Sequence, residues 1–135
     1  IAKIIKKNNG GMLIIDYGYN KVKMQDTLQA IYKHKYSNVL ENIGKSDITH
    51  NINFHLFKKI IKKNEKLSIK FTSQKNFLVN LGIKQRAEII SRNKKFTEKT
   101  DIYYRLKRLI DEKEMGDLFK VMLIKKSSNS FKVGF

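Results

Sequence analysis

The chain contains no cysteine, no proline and no tryptophan among its 135 residues. Without cysteine it has no disulfide framework, no thiolate zinc site and no thiol nucleophile, and this absence fits a reducing, cytoplasmic compartment. No uncharged apolar run approaches the roughly 20 residues that a membrane-spanning helix requires, and no signal peptide is visible. These absences exclude disulfide-stapled secreted scaffolds and thiol enzymes, and they predict a chain without a membrane segment.

Arginine is scarce while lysine is abundant. The sequence has 25 Lys and 4 Arg against 12 acidic residues, which gives a formal net charge of +17. Basic surfaces bind nucleic acid through counterion release, but bidentate recognition of phosphates and bases mostly uses arginine. Abundant Lys, Ile and Asn with no Pro are typical of a protein from an AT-rich, bacterial genome. The charge therefore favours a solvated surface, and a small basic module that binds nucleic acid or an acidic protein surface is the alternative.

A short apolar run behind a glycine pair is the most informative local pattern. Gly10 and Gly11 precede Met-Leu-Ile-Ile-Asp, which predicts a buried strand over residues 12–16. A continuous apolar strand suits a parallel sheet that is covered on both faces. Ligands of open α/β sheets bind outside the carboxyl ends of the strands. We therefore expect Asp16, Tyr17 and Gly18 at a binding edge.

The remaining pattern predicts alternating helices and strands in one domain, residues 1–135. A helix ends near Asn8, and a long polar loop follows the first strand over residues 17–51, with a short turn or an extended segment as the alternative near residues 25–32. The next elements are a helix over 54–63, capped by Asn53 with Phe57, Ile60 and Ile61 facing the core, and a strand over 67–72. Three helices follow: one from Ser73 to Gly82, one over 83–93 packed on Ile83, Ala87 and Ile90, and a long one from Thr97 or Thr100 to Gly116. The chain ends with a strand over 118–124 and a tail whose Phe131, Val133 and Phe135 alternate like a sheet edge.

This order is typical of the second half of a doubly wound α/β sheet. Three strands do not complete such a sheet, so a partner half is expected. No glycine-rich turn follows an early strand, because Gly10 and Gly11 precede theirs. The first residue, Ile1, belongs to a helix already under way. The pattern therefore predicts a fragment that lacks its nucleotide-binding half.

Five segments in register resemble the MidA-type class I S-adenosylmethionine-dependent methyltransferases, a family that includes the mitochondrial arginine methyltransferase of complex I assembly. The segments are Gly-Gly-Met-Leu-Ile-Ile-Asp-Tyr-Gly (residues 10–18), Asp-Thr-Leu-Gln-Ala-Ile-Tyr-Lys-His-Lys (26–35), Asp-Ile-Thr-His-Asn-Ile-Asn-Phe (47–54), Thr-Ser-Gln-Lys-Asn-Phe-Leu-Val-Asn-Leu-Gly-Ile (72–83) and Met-Gly-Asp-Leu-Phe-Lys-Val-Met (115–122). One departure is visible, since the family usually has Asp where this chain has Asn53 before Phe54.

The resemblance implies the C-terminal half of a Rossmann-like methyltransferase sheet. Residues 12–16, 67–72 and 118–124 correspond to strands five, six and antiparallel strand seven. The implied cofactor is S-adenosylmethionine, most of whose site lies in the absent N-terminal half. The implied partners are that half and a protein substrate, such as a complex I subunit. The resemblance thus implies a protein arginine methyltransferase that is inactive without its other half.

Several residues are candidates for substrate binding. A guanidinium is always cationic and binds carboxylates bidentately, which makes Asp16 and Asp47 the first candidates. The others are Tyr17, Gly18, Tyr19, His34, Thr49 and Gln74. Each has a structural alternative, such as an Asx turn at Asp16 or helix-start packing at Gln74. No catalytic residue, cofactor contact or metal ligand is assigned.

Three hypotheses stay open at this point. The chain is a methyltransferase remnant without activity of its own, a small basic binding module, or one half of an enzyme whose other half is encoded separately. Binding of S-adenosylmethionine to the isolated chain, with and without an N-terminal half, separates the first from the third. Salt-dependent DNA binding would favour the second.

Overall fold

A computed structural model describes residues 1–63 and 66–135. Within these ranges the chain forms two β-sheets and a set of short helices. In chain order the elements are α1 (Ala2–Lys7), β1 (Gly11–Tyr19), β2 (Gln29–Tyr32), β3 (Lys35–Ser37), β4 (Asp47–Thr49), β5 (Ile52–Asn53), α2 (Phe54–Lys62), β6 (Leu67–Ser73), α3 (Gln74–Asn80), α4 (Ile83–Ser91), α5 (Phe96–Ile110), α6 (Met115–Leu118) and β7 (Phe119–Lys126).

The larger sheet has four strands in the order β5-β1-β7-β6. Strand β7 lies between β1 and β6 and is antiparallel to both, so that Met122 pairs with Ile14 on one side and with Phe71 on the other. The three strands predicted from the apolar runs are therefore neighbours. The prediction of a mixed α/β fold is confirmed.

The expectation of a parallel, doubly covered first strand is wrong for most of β1. Its parallel partner is β5, which pairs only at Gly18 and Tyr19, while the rest of β1 pairs antiparallel with β7. Leu13 and Ile15 are 48% and 49% exposed, so one face of β1 is open. A continuous apolar run indicates burial on both faces only when other elements cover both. Here the second cover is missing from the described residues.

The core lies where β7 is sandwiched between helices. Met122 and Ile124 are fully buried on one face and pack with Ile5 of α1 and Phe54 of α2. Helices α3 and α6 contact β7 as well, and residues 121–125 are all buried. This central position explains why β7 has an almost continuous apolar sequence.

The predicted long loop over residues 17–51 contains a second sheet, and the extended alternative for residues 25–32 is confirmed by β2. Strand β2 pairs antiparallel with β3 and with β4. The turn between β2 and β3 has positive φ at Lys33 (49°) and His34 (62°), which is the conformation of a two-residue type I′ hairpin. Neither residue is the Asn or Gly that normally indicates such a turn. The sequence therefore carried no turn signal at this place.

Helix α2 agrees with its predicted start. The side chain of Asn53 accepts a hydrogen bond from the Leu56 N–H at 3.0 Å, as expected of an N-cap. Ile60 is 52% exposed, contrary to its expected place in the core, and fully buried Phe54 is the inward residue instead. Similarly, α4 ends at Ser91, and its Ile90 is 40% exposed.

Helix α5 begins at Phe96, earlier than either predicted threonine. The backbone N–H of Lys95 donates to the Glu98 carboxylate at 3.1 Å, so that Glu98 caps the helix from inside its first turn. The helix ends at Ile110, before Gly116. A Cβ at Gly116 would lie 2.5 Å from the Ile110 carbonyl oxygen, so this glycine permits close packing against the helix end.

The C-terminal tail does not extend a sheet edge, contrary to the alternation of its apolar residues. Residues 127–135 form turns. Ring contact joins Phe135 to Phe77 with centroids 5.3 Å apart, and the Asn80 amide donates to the Gly134 carbonyl at 3.3 Å. The tail therefore folds back onto α3.

Candidate functional site

A polar cleft lies at the carboxyl ends of β1 and β6, where β7 begins. It is open to solvent and encloses about 690 Å³. Its lining comes from the end of β1, the loop after it, the junction of β6 and α3, and the α6–β7 turn; the residues are Gly18, Tyr19, Asn20, Lys21, Gln25, Phe71, Thr72, Ser73, Asn76, Asp117, Leu118 and Lys120. A concave site with several converging polar groups is typical of small-molecule and substrate binding.

An ion pair between Asp117 and Lys120 forms one wall of the cleft. The Lys120 ammonium lies 2.6 Å from the Asp117 carboxylate, and their side chains are 12% and 62% exposed. The same ammonium donates to the backbone carbonyl of Asp117. Lys120 pairs across the sheet with Asp16 and with Ser73. The half-buried lysine therefore holds an accessible carboxylate at the rim.

Two residues predicted to bind substrate, Gly18 and Tyr19, do line the cleft. Tyr19 is 9% exposed, and its hydroxyl accepts a hydrogen bond from the Gln25 N–H at 3.1 Å. Gly18 lies against β5 and α2, because a Cβ there would be 2.3 Å from the Ile52 carbonyl oxygen and 2.8 Å from the Phe54 ring. Their described contacts shape the wall and fasten the following loop.

Asp16 and Tyr17 are half-buried beside the cleft and outside its described lining. The Asp16 carboxylate accepts a hydrogen bond from the Tyr17 N–H at 2.8 Å. The Tyr17 ring makes an edge contact with Phe119, with centroids 5.7 Å apart. These contacts resemble the local Asx interaction named above as the alternative for Asp16. A substrate role for either residue stays a prediction.

The candidates in the second sheet lie in other surroundings. The Thr49 hydroxyl accepts a hydrogen bond from the Gln29 amide at 3.1 Å. Asp47 is exposed and pairs with Ile31, and His34 is exposed at the hairpin turn. Among the residues described, the cleft lining contains no member of this sheet. Their binding roles also stay predictions.

Gln74 has a partner within the protein. It is 7% exposed, and its amide donates to the Leu109 carbonyl at 2.9 Å. This bond joins the start of α3 to the end of α5. The described contact fits the structural alternative for Gln74, and its contact with substrate stays a prediction.

Sequence reasoning did not select the charged pair in the cleft wall. Lys120 was visible only as a cation that interrupts an apolar strand, and Asp117 as part of a family segment. Their spacing was no helical signal, because Asp117 belongs to α6 and Lys120 to β7. Ser73 was selected as a helix cap, and its hydroxyl does accept from the Asn76 N–H at 3.3 Å.

Among the described residues, no glycine-rich turn follows a strand as in a nucleotide-binding loop. Gly10 lies before β1, Gly11 is the first residue of that strand, and the space at Gly18 is filled by Ile52 and Phe54. Over residues 1–63 and 66–135, no three His, Cys, Asp or Glu side chains group as metal ligands. In the same ranges no helix combines the length and apolarity needed to cross a bilayer.

Comparison with known proteins identifies relatives of this chain. Residues 1–72, more than half of the sequence, match a family model described as "Putative S-adenosyl-L-methionine-dependent methyltransferase". Among curated proteins, the chain is 27% identical over 120 residues to the mitochondrial protein arginine methyltransferase NDUFAF7 of Danio rerio, covering 89% of this chain and 28% of the relative. It is 30% identical over 90 residues to the Rattus norvegicus protein, covering 67% of this chain and 20% of the relative.

Two solved structures from Burkholderia thailandensis share the fold. An uncharacterised protein superimposes with a TM-score of 0.79 at 25% identity, covering 94% of this chain and 35% of that one. A "likely methyl transferase" bound to S-adenosyl-homocysteine superimposes with a TM-score of 0.73 at 24% identity, covering 93% of this chain and 34% of that one. The chain thus spans about a third or less of the relatives that it matches.

Proposed function

The chain belongs to the S-adenosyl-L-methionine-dependent methyltransferase family, and we propose that it supplies the substrate-side third of such an enzyme. In this proposal β1, β6 and β7 are strands five, six and seven of a class I methyltransferase sheet. The polar cleft at the end of β1 is then part of the acceptor site. The observation that carries the proposal is the antiparallel β7 between β1 and β6, with the cleft at the carboxyl end of β1.

The free edge of β1 supports the proposal. Beyond Gly18 and Tyr19, which pair with β5, the second edge of β1 has no strand partner among the described residues. Leu13 and Ile15 are half exposed on the same strand. Proteins rarely leave a long apolar edge uncovered, because its unpaired N–H and C=O groups attract other strands. We propose that further sheet from the enzyme's remaining part covers this edge.

The cofactor is assigned to that remaining part. The described residues offer no glycine-rich turn after a strand, so none of them is assigned to cofactor binding. What this chain contributes is a fixed wall, in which the Tyr19 hydroxyl holds the following loop and Lys120 holds Asp117. Alignment of acceptor and donor is the main task of the protein in such a reaction. On this proposal the isolated chain does not bind the cofactor.

The charge distribution supports a cationic acceptor. In a chain with a net charge of +17, the Asp117 carboxylate is an accessible negative group at the cleft rim. A guanidinium binds carboxylates through paired N–H donors. The curated relatives are named protein arginine methyltransferases. We therefore propose that the methyl acceptor is an arginine side chain of a protein. The candidate substrate suggested by family resemblance is a complex I subunit.

A chimera tests the assignment of this chain to the sheet. The matching third of the Burkholderia thailandensis protein that was solved with bound S-adenosyl-homocysteine is replaced by residues 1–135. We expect the chimera to fold and to bind S-adenosyl-homocysteine in calorimetry, and the isolated chain to give no heat of binding. The truncated host without the graft is the control. A folded chimera that binds no cofactor, or an isolated chain that binds it tightly, would overturn the proposal.

The acceptor site is tested in the same chimera. Asp117→Asn keeps the side-chain shape and removes the charge, so the KM for an arginine peptide should rise about tenfold, as expected when a charged hydrogen bond is lost. Asp101→Asn, an exposed aspartate on α5 outside the cleft lining, is the matched control. Equal KM values for the two variants would remove Asp117 from the proposal while leaving the sheet assignment intact.

A further inference from the structure

An apolar cavity lies at the end of the sheet opposite to the polar cleft. It encloses about 480 Å³ between the start of β1, the end of β7, α3 and the C-terminal tail. Its walls are almost entirely apolar; the lining residues are Gly11, Leu13, Phe77, Leu81, Leu123, Lys125, Asn129, Phe131, Val133 and Phe135. Sites for small ligands have volumes of about 300–1,000 Å³ and combine an apolar lining with few polar groups.

Lys125 is the charged group of this cavity. The residue is only 7% exposed, and its ammonium donates to the backbone carbonyl of Asn129. Among the described residues no carboxylate lies within ion-pair distance of it. A buried ammonium is costly unless an opposite charge and further hydrogen bonds compensate it. Its position therefore calls for an anion that this part of the chain does not supply.

Within the described part of the chain, next to Lys125, which lacks a counter-ion, stands a polar group that lacks a hydrogen-bond partner. Ser68 of β6 pairs directly with Lys125 of β7, so their side chains project from the same face of the sheet. The Ser68 hydroxyl is buried and has no hydrogen-bond partner among the described residues. Such groups are rare in folded proteins. On the other side, Gly11 leaves the space next to Lys125 free of a side chain.

The cavity wall is held by specific hydrogen bonds. The Asn129 amide donates to the Asn9 carbonyl at 2.8 Å, and the Asn129 carboxamide oxygen accepts from the Phe131 N–H at 2.8 Å. The Asn80 amide fastens Gly134 from the other end of the tail. Because the tail is fixed at both ends, the cavity is a formed part of the fold.

We propose that this cavity binds an anionic amphiphile, a carboxylate with a medium-length alkyl chain. The carboxylate pairs with the Lys125 ammonium, next to the strand position of Ser68. The alkyl chain lies among Leu81, Phe77 and the tail. This site shares no lining residue with the polar cleft, and its Leu13 belongs to the open face of β1 described above.

The test uses sodium laurate as the probe and the full 135-residue chain. Because the chain contains no tryptophan, the variant Val133→Trp places one reporter in the cavity wall. We expect saturable laurate binding in calorimetry and a shift of the Trp emission to shorter wavelength. Dodecyltrimethylammonium, which has the same chain length and the opposite charge, should bind at least tenfold more weakly. Equal binding of the two amphiphiles would contradict the role of the ammonium.

Lys125→Met keeps the length of the side chain and removes its charge. Laurate affinity should fall about tenfold or more, the loss expected for one charge-assisted hydrogen bond, while thermal stability stays equal or rises because an unpaired buried charge is gone. Lys132→Met, on the exposed tail, controls for overall charge. Leu81→Trp should also weaken laurate binding by filling the cavity. If both cavity variants fold and bind laurate like the parent chain, the proposal is wrong.

Discussion

The two sheets of this chain are stabilised in different ways. The larger sheet buries the central residues of β7 completely, with Val121 and Met122 at 0% exposure. The smaller sheet, β3-β2-β4, has Ala30 as its buried residue, and its Ile48 and Tyr36 are 51% and 80% exposed. It depends instead on strand pairing, on the Lys33–His34 hairpin and on the Gln29–Thr49 hydrogen bond.

This difference indicates which sheet contributes more to the stability of the chain. Burial of apolar area is the main favourable term in folding, so the larger sheet should determine the global unfolding free energy. A small, mostly exposed sheet opens at lower cost. We therefore expect the two sheets to behave as two units of unequal stability.

The largest expected effect comes from a cavity in the larger sheet. Met122→Ala removes a fully buried side chain that packs with Phe54 and Ile5. The free energy of unfolding should fall by about 2–5 kcal/mol. Ile48→Ala, the matched truncation in the smaller sheet, should change it by no more than about 0.5 kcal/mol. Urea denaturation followed by circular dichroism measures both, and similar losses would show that the two sheets share one core.

The next effect lies at the junction of β1 and β5. Gly18→Ala places a Cβ against the Ile52 carbonyl and the Phe54 ring, and forced overpacking of this kind typically costs about 1–3 kcal/mol. Gly10→Ala is the control, because nothing lies within 4 Å of its added Cβ. The measurement is the melting temperature of each variant, which should fall for Gly18→Ala and not for Gly10→Ala. A Gly18→Ala protein as stable as Gly10→Ala would mean that β5 moves away from β1 without cost.

The same contrast explains which elements could be predicted from sequence. The strands β1, β6 and β7 and the cap at Asn53 were predictable, because apolar periodicity and capping chemistry are local signals. Strand β2 was predictable only as one alternative for residues 25–32. Strands β3 and β4 were not predictable, because exposed strands show no clear alternation and the hairpin uses Lys33 and His34 where Asn-Gly is usual. Sheet order was accessible only through family resemblance, since the pairing of strands distant in sequence leaves no local pattern.

The cleft was predictable only in part. Its position followed from the end of β1, and Gly18 and Tyr19 were selected for that reason. Lys120 and Asp117 reach the cleft because β7 enters the sheet between β1 and β6. That arrangement depends on long-range pairing, and nothing near residues 117–120 in the sequence indicates it.

A smaller and local effect is expected within the second sheet. Thr49→Val removes the acceptor of the Gln29 amide bond without changing the shape of the side chain much. The loss should be about 0.5–1.5 kcal/mol, and it should appear as faster amide exchange in β2 with little change in the global melting temperature. Ser37→Ala in β3 is the control, since its hydroxyl contacts are exposed. An equal loss in exchange and in global melting would show that the second sheet opens only when the whole chain unfolds.

The smallest effect concerns acid stability and lies at the start of α5, outside both sheets. The hydrogen bond from the Lys95 N–H, followed by that from the Lys94 side chain, lowers the pKa of Glu98 below its ordinary value of 4.5. A lowered pKa in the folded state stabilises the fold above the unfolded value, and this contribution is lost as the pH falls through the folded value. Glu98→Gln should therefore lower the melting temperature at pH 7, with the difference from the parent chain disappearing in acid below pH 4.5. Glu41→Gln, on the exposed segment between β3 and β4, should leave the melting temperature unchanged at both pH values. A pH-independent loss in Glu98→Gln would mean that Glu98 acts through packing and that its charge is irrelevant to the α5 cap.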